Sequence, residues 1–457
     1  MQKIRLMVMA IMGLMIAGSG IAQDSTHYFT LQQALEYGQK HNVQVKNALL
    51  DISLQQQVNR EVTGNAYPQI SGRAGITDNV KISKIFLPAG VPNFLSGDST
   101  PLKQDTYVSA SLFSAPWSSM AGVSLSQLLF DGQVFTGLQA RKTLIDYKAK
   151  TSEVTVDQIR QNIAKVYYQL VVSKTQVALI DSNLALVQKN RNDTKIMYDN
   201  GFAEKLDIDK LDVQLANLKS QKNQVLNSVS NGYLGLKVLM GMPMQEELVL
   251  TDELTDEQLK EGIVEAVAEF DYGQRKDFQT ALLGKRLGEL EVQRYKYSKI
   301  PTVSVGGSLD YMTQTNRFSK MFNGTAEWYP VSSISLNLSI PIFNGFATNA
   351  RIAQAKIKLQ QTENQIEALK LTIDQERKSS VNSFKSAIAD MDYQKQNMKL
   401  AENVYQQTKK KYEMGTGSQI EIDNARVQLQ SAQTNYYNAL YNAVVAKVDF
   451  LKAIGKF

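Results

Sequence analysis

The chain has 457 residues, no cysteine, only two histidines and a formal net charge of +6. Disulfide staples, thiolate metal sites and cysteine nucleophiles are therefore excluded. With only His27 and His41 available, the commonest general base and metal ligand is nearly absent. No Gly-x-Ser-x-Gly, P-loop, HExxH or dinucleotide fingerprint occurs, so the sequence points to no enzyme, no cofactor and no bound metal.

In chain order the first element is a leader. Met1 to Arg5 carries two positive charges, Leu6 to Ile16 is nearly all apolar, and Gly18-Ser19-Gly20-Ile21-Ala22 supplies small residues for a signal peptidase. This predicts a secretory signal peptide over 1–22, too short for a membrane span. No cysteine follows the cut, as an acylated lipoprotein requires. Removal of Lys3 and Arg5 lowers the mature charge by two, and the remaining lysines and acids are interspersed. That pattern belongs to solvated helix faces and not to a nucleic-acid stripe, so no nucleic-acid partner is expected. No later stretch approaches 18 consecutive apolar residues, so any membrane crossing must use strands.

The nine prolines leave two long proline-free spans, Trp117 to Met242 and Ile342 to Phe457. In the first, Ala149, Val156, Ile163, Leu170, Val177 and Leu184 recur every seven residues. Ser152, Ile159, Val166, Ser173, Ile180 and Val187 repeat that spacing three places later. Six heptads of this kind predict coiled-coil packing. The second span carries Ile352, Leu359, Ile366 and Ile373, then Phe384, Met391, Met398, Tyr405 and Tyr412. The eleven-residue step between Ile373 and Phe384 is a stutter. The helices expected over Gln133–Tyr198 and Phe346–Tyr412 are each roughly 100 Å long at 1.5 Å per residue.

Both helices end alike. Tyr198-Asp199-Asn200-Gly201 matches Tyr412-Glu413-Met414-Gly415, and Asp207-Ile208-Asp209 matches Glu421-Ile422-Asp423, at a constant offset of 214 residues. Val213-Gln214-Leu215 matches Val427-Gln428-Leu429, and Gly241 matches Gly455, at the same offset. Glycine after a helix, a polar run and a new apolar period predict a turn into return helices over Leu206–Leu239 and Ile420–Ala453. Upstream, Phe130-Asp131-Gly132 matches Phe343-Asn344-Gly345, and each follows period-two alternation, clearest in Ile334–Ile342 and Val303–Tyr311. Tyr37-Gly38-Gln39 matches Tyr272-Gly273-Gln274, each expected to open another helix. The first hairpin carries 20 extra residues between about Lys81 and Ser119, rich in Pro, Gly and Ser and expected as an exposed loop.

Each half thus reads as short helix, strand, loop, strand, long helix, tip turn and half-length helix. The domains are a signal peptide (1–22), a first repeat (23–242) and a second repeat (243–457). The acidic stretch Pro243 to Phe270 is expected to pack with the N-terminal segment as an equatorial collar. Four strands cannot close a barrel, and lipid forbids an open edge. Three chains pooling strands make twelve, with Ser304, Ser308, Asp310, Ser335, Asn337 and Ser339 facing a wet lumen. A soluble β-sandwich fits the alternation equally well; the leader and the long helices favour the barrel. Tyr67, Trp117, Phe130, Tyr311, Trp328, Tyr329 and Phe343 are candidates for interfacial girdles.

The sequence resembles the TolC-type outer-membrane efflux family. The resemblance rests on Leu31-Gln-Gln-Ala34-Leu35, Tyr67-Pro68, Leu129-Phe130-Asp131-Gly132, Tyr412-x-x-Gly415-Thr416 and the 214-residue duplication. It implies a mainly α chain with four β-strands, assembling as a homotrimer with a twelve-stranded membrane β-barrel and a coiled-coil helical barrel. It also implies an outer-membrane location reaching into the periplasm, and passive export. A periplasmic adaptor and an inner-membrane pump would dock at the tip turns (Gly201, Asp207, Gly415, Thr416). The family often places acids six and nine residues after the second glycine, forming a constriction. Here these positions hold Glu421 and Asn424, with Asp423 beside the latter. The competing reading of such acids is helix capping, which suits Asp207 and Asp209 better than a pore role. The main rivals are a periplasmic coiled-coil adaptor, which needs one helical hairpin where this chain has two, and an enzyme on a β-helical scaffold, for which no site is visible. The cargo is not legible.

Overall fold

The computed structural model describes residues 26–92, 100–109, 114–254, 259–260 and 270–457. The expected signal peptide lies outside these residues, as does most of the acidic stretch beyond Leu254.

The chain begins with β1 (Thr26–Phe29), α1 (Leu31–His41) and α2 (Val43–Gly64), followed by β2 (Gln69–Asp78), β3 (Lys84–Leu87), β4 (Thr106–Ser109) and β5 (Trp117–Phe130). The first helical hairpin is α3 (Gly132–Asp199) and α4 (Lys205–Met240). After β6 (Glu247–Leu250) and a 3₁₀ turn at Tyr272–Gln274 come α5 (Lys276–Tyr297), β7 (Thr302–Thr315) and β8 (Tyr329–Ser339). The second hairpin is α6 (Ala347–Glu413) and α7 (Gln419–Ala453). The predicted order of elements is present in both halves. Two details differ. Tyr37-Gly38-Gln39 lies inside α1, and the new helix opens only after Asn42, because Asn42 Oδ1 accepts from the N–H groups of Gln44 and Val45 and caps α2. The long first-hairpin loop is also not structureless, since β3 pairs antiparallel with β4.

Two compact units emerge. One holds the chain up to Ile52, Tyr147–Leu282 and Asn364–Phe457; the other holds Ser53–Asp146 and Leu283–Glu363. In the first unit the heptad stripes are the core. Ile159, Ile163, Leu170, Ile180 and Val187 of α3 are buried, as are Ile373, Phe384, Met391 and Tyr405 of α6. Ile373 packs with Phe278 and Ile366, whereas Phe384 and Met391 pack with Ala443 and Phe450, so the stripe is buried on both sides of the stutter against different elements. One 18-residue window of α3 reaches a mean hydropathy of 1.3, yet Val156, Ile163, Tyr167 and Leu170 of that helix join an interior cluster with Ala34, Leu236 and Met240.

The two return helices end alike. Gly241 and Gly455 take positive φ (72° and 74°); a side chain on Gly241 would strike His41 O, and one on Gly455 would crowd Gln274 O. Asn42 Nδ2 donates to Leu239 O at 2.7 Å, and Arg275 Nη1 donates to Ala453 O at 3.3 Å. Leu239 and Ala453 are 214 residues apart, so the two donors do the same work with different chemistry. The N-terminal segment meets the stretch after Pro243 through β1, which runs parallel to β6 from Thr26 opposite Glu247 to Phe29 opposite Leu250.

The second unit contains a four-stranded antiparallel sheet in the order β2-β5-β7-β8. A register shift between Leu128 and Phe130 marks a bulge. Every residue of β2 and β8, the two outer strands, is exposed.

Candidate functional site

Register divides the sheet into two chemically distinct faces. On one, Leu125 stands between Ile70 and Gly307, and Val123 between Gly72 and Leu309, with Ile334, Leu336 and Leu338 on β8. This face is aliphatic and bare: Ile334 is 90% exposed and Ile70 76%. On the other face one level reads Ser71-Ser124-Ser308-Ser333 across all four strands. Ser71 and Ser124 hydroxyls meet at 2.9 Å, and Ser308 and Ser333 hydroxyls at 3.1 Å. Ser304, Ser308, Asp310, Ser335 and Asn337, expected on the polar face, all lie there.

The adjacent level reads Arg73-Gly122-Asp310-Val331. Arg73 Nε donates to Asp310 Oδ1 at 2.9 Å and Nη2 to Oδ2 at 2.6 Å. This bidentate pair reaches from β2 over β5 to β7. Gly122 makes that possible, because a Cβ on it would overlap Asp310 Oδ1 and Leu309 O. Aromatics cluster at both ends of the sheet: Trp117 meets Phe318 edge-on at 4.9 Å, while Phe343 meets Phe346 at 5.4 Å and Phe130 meets Phe135 at 5.7 Å.

The helical hairpins turn as predicted. At the first tip Gly201 has φ +80° and Phe202 N–H donates to Met197 O at 2.8 Å, a helix stop that only glycine accommodates without strain. Asp207 Oδ2 accepts from Glu204 N–H at 3.4 Å and Oδ1 pairs with Lys210 at 3.2 Å, so its role in the fold is to start α4. At the second tip Gly415 has φ +73°, and Thr416 donates both its N–H and its hydroxyl to Lys411 O.

The three proposed constriction residues are held differently. Glu421 forms a capping box with Ser418: its N–H donates to Ser418 Oγ at 3.3 Å, and its Oε2 accepts from Ser418 N–H at 3.4 Å. Asp423 accepts from Gln419 and lies 3.1 Å from Arg426 Nη2. Asn424 is exposed. Arg426 is buried, and its Nη1 donates to Gln214 Oε1 at 2.8 Å, joining the second return helix to the first. The Tyr412 hydroxyl is raised above the usual tyrosine range by burial and by the charges of Asp207 and Asp423. Residues from both tips thus share one electrostatic neighbourhood.

The repeats diverge here. Arg191 pairs with Asp212 through both carboxylate oxygens at 3.0 and 3.3 Å, which holds that carboxyl below the usual aspartate range. The positions 214 residues on are Tyr405 and Arg426, both buried. The Tyr405 hydroxyl and the Nε and Nη2 of Arg426 make no hydrogen bond. Arg73, Gly122, Gln214 and Arg426 were not singled out as site residues from the sequence. The one signal for Arg73 was a lone cation inside an alternating strand.

No group of three or more potential metal ligands occurs among the described residues.

A model of the outer membrane efflux protein family matches residues 273–456. The chain is 19% identical to outer membrane protein TolC of Vibrio cholerae over 335 residues, 73% of this chain and 76% of that protein. It is also 19% identical to TolC of Escherichia coli over 345 residues, 74% of this chain and 69% of that protein. Among solved structures, the outer membrane protein VceC of Vibrio cholerae superposes with a TM-score of 0.70 at 16% identity, covering 93% of this chain and 96% of VceC. The CmeC outer membrane channel of Campylobacter jejuni gives 0.70 at 16% identity, covering 93% and 86%. The family match thus covers the second half of the chain, the relatives named are outer membrane proteins, and the chain shares the fold of solved outer-membrane channels.

Proposed function

We propose that this chain is one subunit of an outer-membrane export duct, delivering passively what an inner-membrane pump hands over through a periplasmic adaptor. The observation that carries this is the sheet: four strands, two bare edges, one aliphatic face and one serine-lined face. An aliphatic face that large favours lipid, and open edges are not tolerated there. Pairing β8 of one copy with β2 of the next removes both edges, and three copies close a twelve-stranded barrel wide enough for a passage. The serine face then lines the lumen. The tip turns Gly201–Asp207 and Gly415–Thr416 are the surfaces we assign to adaptor docking, and Glu421 with Asp423 and Asn424 to the constriction.

The test is assembly. Expressed with its leader, the protein should fractionate with outer membranes and run in mild detergent as a trimer that heat converts to monomer. A monomer in the soluble periplasmic fraction would overturn the reading.

A further inference from the structure

Arg73 and Asp310 hold the only charges in the four barrel strands apart from Asp78 at a strand end. They are not presented equally. The Asp310 side chain is 6% exposed, whereas that of Arg73 is 48% exposed. The carboxylate lies flat on Gly122, covered by the guanidinium, which uses Nε and Nη2 for the pair and leaves Nη1 outside it. On this face the neighbouring level is neutral serine. The pair is therefore an oriented dipole whose positive end faces away from the sheet.

We propose that Arg73 is the anion-contacting residue of the barrel lumen, with Asp310 the buried counter-charge that aims it. This rests on the channel reading given above. Three subunits place three guanidinium groups at one level of an otherwise uncharged wall, between a level of serines and one of Gly75, Met120, Met312 and Tyr329. A guanidinium in a fixed orientation recognises chloride and oxyanions (carboxylate, phosphate, sulfonate) on passing solutes. The pair carries no net charge, so the effect comes from the asymmetric exposure of its two ends.

That distinction sets the experiment. Trimers in planar bilayers are read by reversal potential in a KCl gradient, for wild type, Arg73→Gln, Asp310→Asn and the double variant. Each is also made with Glu421→Ala, so that the tip acid does not mask the barrel. Arg73→Gln should lower the chloride-to-potassium permeability ratio and Asp310→Asn should raise it. The double variant has the net charge of wild type. It should still lose anion preference, by about twofold at 0.1 M salt where the screening length is about 10 Å, with the difference fading at 1 M. A double variant identical to wild type overturns the proposal while leaving the channel reading intact; a wild type that never conducts overturns both. Should loss of the pair prevent assembly, Arg73→Lys keeps a cation at the site. Chloride preference near that of wild type then supports the proposal, and its loss overturns it.

Discussion

Arg426 Nη1 donates to Gln214 Oε1 at 2.8 Å, and this bond ties the return helix of the second repeat to that of the first. Its other polar contact at the tip is Asp423, 3.1 Å from Nη2. Removing a charged hydrogen-bond partner from a buried site costs about 1.5–3 kcal/mol, so Arg426→Ala should lower the thermal midpoint and loosen the tip. Arg426→Met fills the same space without a buried cation, and such replacements are often neutral or stabilising. It should keep the thermal midpoint yet raise single-channel conductance. Wild-type conductance in both variants would remove the Arg426–Gln214 bond from any control of the tip.

Glu421 can cap a helix and face a constriction at once, and two substitutions separate these roles. Ser418→Ala breaks the capping box and should cost about 1 kcal/mol without changing ion preference. Glu421→Gln keeps an acceptor for Ser418 N–H and removes the charge; cation preference should fall while the thermal midpoint holds. If Glu421→Gln conducts with unaltered preference, the residue serves the helix alone.

Gly122→Ala should be far more damaging than its size suggests. The added methyl meets Asp310 Oδ1 and backbone Leu309 O, so it must break the Arg73 pair or the β5–β7 ladder, a loss of about 3 kcal/mol or more. Gly75→Ala, with nothing within 4 Å of its Cβ, is the control. Heat stability of the trimer on gels should fall for the first and not for the second.

The two sheet faces can be tested for what they touch. Ile334→Arg puts a cation on the bare aliphatic face and should cost about 2–4 kcal/mol if that residue lies near the bilayer midplane, depleting trimer from outer membranes. Ser335→Arg, one residue on and on the opposite face, should assemble normally. Equal depletion by both would contradict the assignment of faces.

Asp277 supplies a pH dependence. Burial pushes its carboxyl up, but two hydrogen bonds from Arg275, at 3.0 and 2.5 Å, more than reverse this and hold it below the ordinary aspartate range. A depressed carboxylate contributes stability that is fully present above the unfolded value, about pH 4, and is lost as pH falls through the folded one. At pH 7 Asp277→Asn should therefore unfold at a lower temperature than wild type, by about 1–3 kcal/mol of stability. The gap should close on titration towards pH 2. A gap that persists unchanged at acid pH would show that the charge on Asp277 is not what matters.

How much of this was readable in the sequence depends on range. The heptads of α3 and α6, the glycines at 201, 241, 415 and 455 and the alternation of β7 and β8 are local patterns, and the structure follows them. The 214-residue offset even anticipates that Leu239 and Ala453 occupy equivalent helix ends. What the offset cannot reveal is chemistry that breaks the repeat. Arg426 aligns with Asp212 yet bonds Gln214, and Asn42 does with an amide what Arg275 does with a cation. Nor could alternation pair Arg73 with Asp310, because that requires the registers of β2 on β5 and β5 on β7 together. The β3–β4 pairing inside the long loop was hidden for a simpler reason: four-residue strands among Pro, Gly and Ser carry too little pattern.

In the proposed three-chain ring, the open edges have a genetic consequence. In a closed ring of identical chains, each copy must offer both a sound β2 and a sound β8, and no neighbour can substitute for a faulty one. A variant that spoils one edge but is still synthesised would therefore act dominantly. Made in equal amount with the normal chain, it would leave roughly one ring in eight free of the defect, as random sampling of three seats in a cyclic assembly dictates.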